Sequence, residues 1–346
     1  MKLLSFKNQK GTERLGLWVD GKVLDLQKLA QTLSLSLPDN MNEFLAGGDK
    51  DFKVAGEIQS AYLDQNSKLE TEPEPVALLA PVPHPPSCRD AYAFRQHVAT
   101  ARRNRGMDMV PEFDQFPVFY YTNHNSIIGP GPVNLEKDHL EKLDFELEAA
   151  IVIGKRGKNI SRDKADSYIA GFTIMNDFSA RLLQTEEMKL NLGPAKGKDF
   201  ATAIGPWLVT PDDLEKFKIK TDAGNKYDLE MKAYHNGKQV SQGNLKDMNW
   251  TFAEIIERVS YGIEVFPGDV IGSGTVGTGC YLELNGTWAL EAKQRGETFS
   301  PVWLKDSDTI ELEISGLGKL KNKIAKSKVD YSILAKKKKL SEVSAG

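Results

Sequence analysis

The chain has 346 residues, a formal net charge of -3 and two cysteines, with a pI near 6.1. That length suits one substantial domain plus a smaller one. The balanced charge excludes a basic face for nucleic acid, two cysteines exclude a disulfide framework, and no apolar run is long enough to cross a bilayer. The expectation is a cytoplasmic protein with no nucleic-acid or membrane partner, in which Cys88 and Cys280 are small buried apolar residues.

In chain order, residues 15–26 (LGLWVDGKVLDL) predict a hairpin, because Asp20-Gly21 supplies the positive-φ pair that a type I′ turn requires. Amphipathic helices are expected after Asn40 and over 51–66. Residues 68–87 (KLETEPEPVALLAPVPHPPS) carry prolines at a density that excludes regular structure over most of their length. They mark the boundary between a small N-terminal β-rich domain, residues 1–75, and a second domain, residues 76–346, with His84 a linker residue. The next stretch, CRDAYAFRQHVATARR, reads as a helix opened by Asp90, with His97 two turns later on the same side. Residues 116–121 (FPVFYY) and 127–135 (IIGPGPVNL) then begin a strand-rich region that predicts a twisted, mostly β (α+β) domain with few helices.

Residues 143–154 (LDFELEAAIVIG) place Glu146 and Glu148 inside an apolar strand. Side chains alternate along a strand, so both acids project from one face, followed by Ala150 and Val152, while Phe145, Leu147, Ala149 and Ile151 take the other. Two unpaired like charges there would be costly, and a hard divalent ion held by oxygens is the natural companion. The plainer reading is a half-exposed edge strand whose acids meet water. Residues 171–181 (GFTIMNDFSAR) read as a second apolar strand ending in Asp177 and turning into a helix that Ser179 caps.

Further on, GPAKGKD (193–199) lacks the spacing and the Ser/Thr of a P-loop, so Lys198 needs another explanation. Residues 227–240 predict a hairpin with Asn236-Gly237 at its tip and His235 exposed beside it, and residues 251–260 predict a helix. Gly272, Gly274 and Gly277 satisfy G-x-G-x-x-G, but CYLEL (280–284) reads as a second strand, leaving no helix to hold a pyrophosphate. The final AKKKKLSEVSAG is a charged tail.

Together, DxYxFxxH at 90–97, ExE at 146–148, NDFSARxxQ at 176–184, GKDFAT at 197–202 and GDVIGSGT at 268–275 resemble the fumarylacetoacetate hydrolase family. The resemblance implies a β-sandwich roll for the catalytic domain, and the N-terminal segment looks like the small β domain of long members. It implies Mg²⁺ or Ca²⁺ held by Asp90, Glu146, Glu148 and Asp177, with Lys198 and Thr202 counted among the metal-site residues. His97 matches the general base, Glu283 its orienting acid, and Arg181, Gln184 and Lys198 the donors to a developing oxyanion. Tyr92, Tyr120 and Thr275 match substrate contacts, joined by Arg181 and Gln184. The implied reaction is hydrolysis of a carbon-carbon bond in a small β-diketo acid of the fumarylacetoacetate or acylpyruvate type, in a homodimer. Decarboxylation, tautomerisation or hydration of a 2-oxo acid is the alternative on the same site. Two departures touch substrate recognition: the basic residue expected soon after the histidine has three candidates, Arg102, Arg103 and Arg105, and the loop from Thr275 to Glu283 is short.

Overall fold

The computed structural model of the chain describes residues 1–64 and 69–338. Its framework is an eleven-stranded sheet and a five-stranded sheet. Leu147–Ile153 lies inside the larger sheet, between Ile169–Asp177 and Val270–Gly272, and is buried along its whole length. Alternation divides its side chains between two cores. Leu147, Ala149, Ile151 and Ile153 pack with Met231, Ala233, Leu312 and Leu320 of the five-stranded sheet. Ala150 and Val152 pack with Leu29, Phe44, Leu45 and Ile58 of N-terminal helices. The large sheet is thus covered by strands on one face and helices on the other. Each large apolar side chain buried this way contributes about 1.5–3 kcal/mol.

The N-terminal hairpin forms as predicted, with Asp20 at φ 46 and Gly21 at φ 81 between Glu13–Val19 and Lys22–Asp25. Asn40 caps the Met41–Gly47 helix by accepting from the Glu43 N–H. The Asp49–Asp64 helix follows. Lys2–Lys7 pairs antiparallel with Thr202–Val209, so the N-terminal strands extend the large sheet across the proline-rich segment. Gln65, Asn66 and Lys68, and residues 339–346 of the charged tail, lie outside the described residues.

Four local expectations are corrected. Asp90 does not open a helix: it lies in the Cys88–Ala91 strand, held parallel to Val270–Gly272, and the helix starts only at Arg95. CYLEL is not a strand but the first turn of the Tyr281–Gln294 helix, in which Tyr281, Leu284, Asn285 and Ala292 are buried. That spacing follows the helical period, which a five-residue window cannot distinguish from alternation. Ser179 does not cap a helix; its hydroxyl donates to the Asp177 carbonyl at 3.1 Å, and Arg181–Met188 begins without a side-chain cap. His235 is not an exposed turn residue, because its Nδ1 meets the Tyr281 hydroxyl at 2.6 Å and Asp308 lies 2.9 Å from its Nε2. The sheet-rich α+β architecture is the one expected. The helix predicted at 251–260 is present as Phe252–Ser260, closed at its start by a capping box between Thr251 and Glu254.

Candidate active site

Strand alternation delivers the acids. Cys88, Ala150, Val152 and Met175 belong to the helix-covered core. Two positions along the same strands stand Asp90, Glu148 and Asp177, with Glu146 just ahead of Leu147–Ile153, so the face that is apolar in its middle is carboxylate-lined at its end. Register brings them together: Gly272 pairs with both Ala150 and Asp90, while Asp177 pairs with Thr202. Gly272 is required by this approach, since a Cβ there would lie 2.4 Å from Asp90 Oδ1 and 3.0 Å from Glu148 Oε2. The Gly274 N–H donates to both, at 3.0 Å and 3.2 Å. Gly272 and Gly274 of the apparent dinucleotide motif therefore serve carboxylates, while Gly277 lies against the Gln96 side chain, although a helix does follow them at Tyr281.

Asp90, Glu146 and Glu148 present oxygens within 4.8 Å of one another, all buried. Lys198 Nζ donates to Asp177 Oδ2 at 2.7 Å and to Glu146 Oε2. Arg181 Nη2 donates to Glu146 Oε1 at 2.7 Å, its Nε to Asp144 Oδ2 at 2.8 Å and its Nη1 to Gln184 Oε1 at 2.9 Å. Five carboxylates, counting Asp144, thus face one ammonium and one guanidinium. Burial alone would raise Glu146, yet Lys198 and Arg181, with His97 nearby, hold its carboxyl down at about 2. Burial, with Asp177 and Glu146 close by, pushes Asp90 up to about 7, and burial beside Asp90 pushes Glu148 well above the carboxylate range. Asp177 is raised by burial, which outweighs Lys198.

An oxygen-only donor set with excess negative charge fits a hard divalent cation. Asp177 Oδ1 adds a further sign of fit, being buried without a hydrogen-bond partner. Asp90, Glu146, Glu148 and Asp177 would hold such an ion. Lys198, expected among the ligands, is instead a counter-charge: burial opposes its proton, but Asp177 and Glu146 raise its pKa, and an ammonium has no lone pair to give. The Thr202 hydroxyl stands 3.5 Å from that of Thr122. Asp90 is raised from 3.8 to about 7, so without cation the folded state holds protons that the unfolded state releases. Its contribution is fully present below about 4 and lost as pH rises through about 7. The EDTA-treated protein is expected to lose thermal stability from pH 5 to 8 and to regain it with Mg²⁺ or Ca²⁺, whereas Glu148→Ala should show little cation response. A scanning-calorimetry series in which EDTA-treated protein grows more stable toward pH 8 would refute this electrostatic account.

Beside the acids stands the second group. His97, on the Arg95–Arg103 helix, places Nδ1 2.7 Å from Glu283 Oε2, with both side chains buried. Its Nε2 takes no hydrogen bond among the described residues. The Tyr92 ring meets the imidazole edge-on at 5.9 Å, and burial pushes its hydroxyl up to about 12, so it remains a neutral donor. The residue that sequence reasoning missed is Asp144. Its carboxylate accepts from the N–H groups of Tyr281 at 2.7 Å and Leu282 at 2.9 Å, capping the helix that carries Glu283, and also binds Arg181. Its only sequence signal is the alternation that sets Asp144, Glu146 and Glu148 on one side.

Other expected residues take their places around this centre. Tyr120 donates to Asp177 Oδ2, and Thr275 to Glu148 Oε1 at 3.2 Å. Of the three candidate arginines, Arg102 donates to the Asp108 carbonyl, Arg103 reaches Thr287 at 3.4 Å, and Arg105 donates to the Ala101 carbonyl at 3.0 Å.

Residues 87–325 match the family described as Fumarylacetoacetate (FAA) hydrolase C-terminal. Oxaloacetate tautomerase YisK of Bacillus subtilis (strain 168) is 29% identical over 319 residues, spanning 88% of this chain and 93% of that protein. The mitochondrial oxaloacetate tautomerase Fahd2a of Rattus norvegicus is 30% identical over 312 residues, spanning 88% and 85%. Among solved structures, a fumarylacetoacetate hydrolase from psychrophilic Exiguobacterium antarcticum aligns with a TM-score of 0.66 at 26% identity, covering 94% of this chain and 100% of that one. Among the described residues, no helix is long and apolar enough to cross a membrane.

Proposed function

The chain belongs to the fumarylacetoacetate hydrolase family, and from that premise we propose that it hydrolyses a carbon-carbon bond in a small β-diketo acid of the acylpyruvate or fumarylacetoacetate type. The observation that carries this reading is the buried His97–Glu283 pair, 2.7 Å apart, beside the four acids. Glu283 accepts the Nδ1 proton of His97, which fixes the tautomer and leaves the Nε2 lone pair without a hydrogen bond among the described residues. His97 takes one proton from water, whose oxygen adds to the acyl carbonyl. Gln184 offers its amide hydrogens to the developing oxyanion, and the charges of Arg181 and Lys198 stabilise it from behind the carboxylates they bind. When the carbon-carbon bond breaks, its electron pair stays with the 2-oxo acid carbon and the imidazolium of His97 returns a proton there. Substrate plus water thus yields a carboxylic acid and a 2-oxo acid. A hard divalent cation among Asp90, Glu146, Glu148 and Asp177 supplies, when bound, a Lewis acid that draws charge from the substrate's oxygens.

A second reading is tautomerisation of an oxaloacetate-like 2-oxo acid, favoured by the names of the Bacillus and rat relatives. It needs only a proton shuttle, which His97 also provides. A panel of acetylpyruvate, fumarylacetoacetate and oxaloacetate with Mg²⁺ separates the two, provided that products are measured as well as loss of enol absorbance. Pyruvate and acetate are expected from acetylpyruvate. Loss of enol absorbance without pyruvate, on every diketo acid tried, would reject hydrolysis in favour of tautomerisation.

A further inference from the structure

We propose a second metal site, formed by Cys280, His97 and Glu283, that takes a borderline ion such as Zn²⁺ and stops turnover when filled. One ligand atom from each of these buried residues lies within 4.8 Å of the other two. Helix geometry accounts for the placement. Cys280 is the N-cap of Tyr281–Gln294 and Glu283 is three positions on, so their side chains adjoin on one face, while His97 reaches them from the Arg95–Arg103 helix. Asp144 takes the N–H groups of Tyr281 and Leu282, and that of Glu283 meets the Cys280 sulfur. Burial, with the Asp144 and Glu146 carboxylates nearby, pushes the Cys280 thiol well up, so an entering ion must displace the thiol proton to solvent as the sulfur binds.

The donors differ in kind from those of the acid cluster. Sulfur, imidazole nitrogen and one carboxylate oxygen are a zinc set, where four carboxylates suit magnesium or calcium. Tetrahedral zinc, with bonds of about 2.0–2.3 Å, separates its ligand atoms by about 3.3–3.8 Å, so the His97–Glu283 contact must open by about 1 Å or less. Three protein ligands leave a fourth position for water. Filling the site replaces the His97–Glu283 hydrogen bond with two metal bonds, which removes the orienting acid from the base. The loss of turnover rests on the hydrolytic reading of that pair, whereas the binding does not.

The test uses the full chain loaded with excess Mg²⁺. Co²⁺, titrated as a spectroscopic substitute for zinc, is expected to give a near-ultraviolet sulfur-to-cobalt charge-transfer band that Cys280→Ala lacks and that Zn²⁺ displaces. Zn²⁺ should abolish turnover, and Cys280→Ala, which keeps its zinc-free activity, should raise the half-inhibiting zinc concentration by at least about tenfold. Cys280→Ser preserves the volume of the site, and the wild-type band reports on the sulfur without any variant. Absence of that band, or equal zinc inhibition of wild type and Cys280→Ala, overturns the site. A Cys280-dependent band with turnover undiminished by Zn²⁺ overturns the inhibition, leaving only the binding, and removes His97 and Glu283 from water activation.

Discussion

Replacing His97 with alanine is expected to lower kcat by about 10²–10⁴-fold, with Mg²⁺ binding close to wild type. The imidazole adjoins the acids, and its Nε2 takes no hydrogen bond among the described residues. Its removal leaves the carboxylates and their two cationic partners in place. Glu283→Gln should fall in the same range with little change in KM, because the amide keeps the shape but offers a weaker acceptor to Nδ1 and no longer stabilises the imidazolium. Steady-state kinetics on acetylpyruvate, with metal content measured in parallel, decides the matter. A His97→Ala protein that keeps its metal and retains more than a tenth of wild-type kcat would remove the base from the mechanism.

The largest effect on stability is expected at Asp144. Asp144→Ala should cost about 3–5 kcal/mol, since it breaks a fully buried ion pair and leaves Arg181 with an uncompensated share of its charge. It also strips two helix N–H groups of their acceptor. Asp144→Asn should lose less, because its amide oxygen still accepts from those N–H groups. Urea unfolding of both variants measures the difference. A loss below about 1 kcal/mol in Asp144→Ala would place the residue outside the framework. Because Asp144 joins the helix carrying Glu283 to the arginine that holds Glu146, the two halves of the site rest on one carboxylate.

What the sequence alone determined were features set by neighbours within a few positions. The closeness of Glu146 and Glu148, the positive-φ turns at Asp20-Gly21 and Asn236-Gly237, and the burial of both cysteines are all present. So is the helix expected at 251–260. Side-chain alternation and left-handed turn backbone are local, and a single stretch suffices to read them. Motifs in their family order also placed the fold.

Only the tertiary structure decided how distant pieces meet. Asp90 is a strand residue because Cys88–Ala91 finds Val270–Gly272, and its carboxylate meets the Gly274 N–H across 184 positions of chain. No local pattern encodes a pairing of that span, so an aspartate before a histidine reads as a helix start. Glu283 reads as a strand residue for the same reason, since the group that caps its helix, Asp144, comes from another part of the chain. Lys198 became a counter-charge only once Glu146 and Asp177 were seen on either side of it. Charge compensation in a buried site is decided by proximity in space, and proximity of that kind arises when the sheet closes.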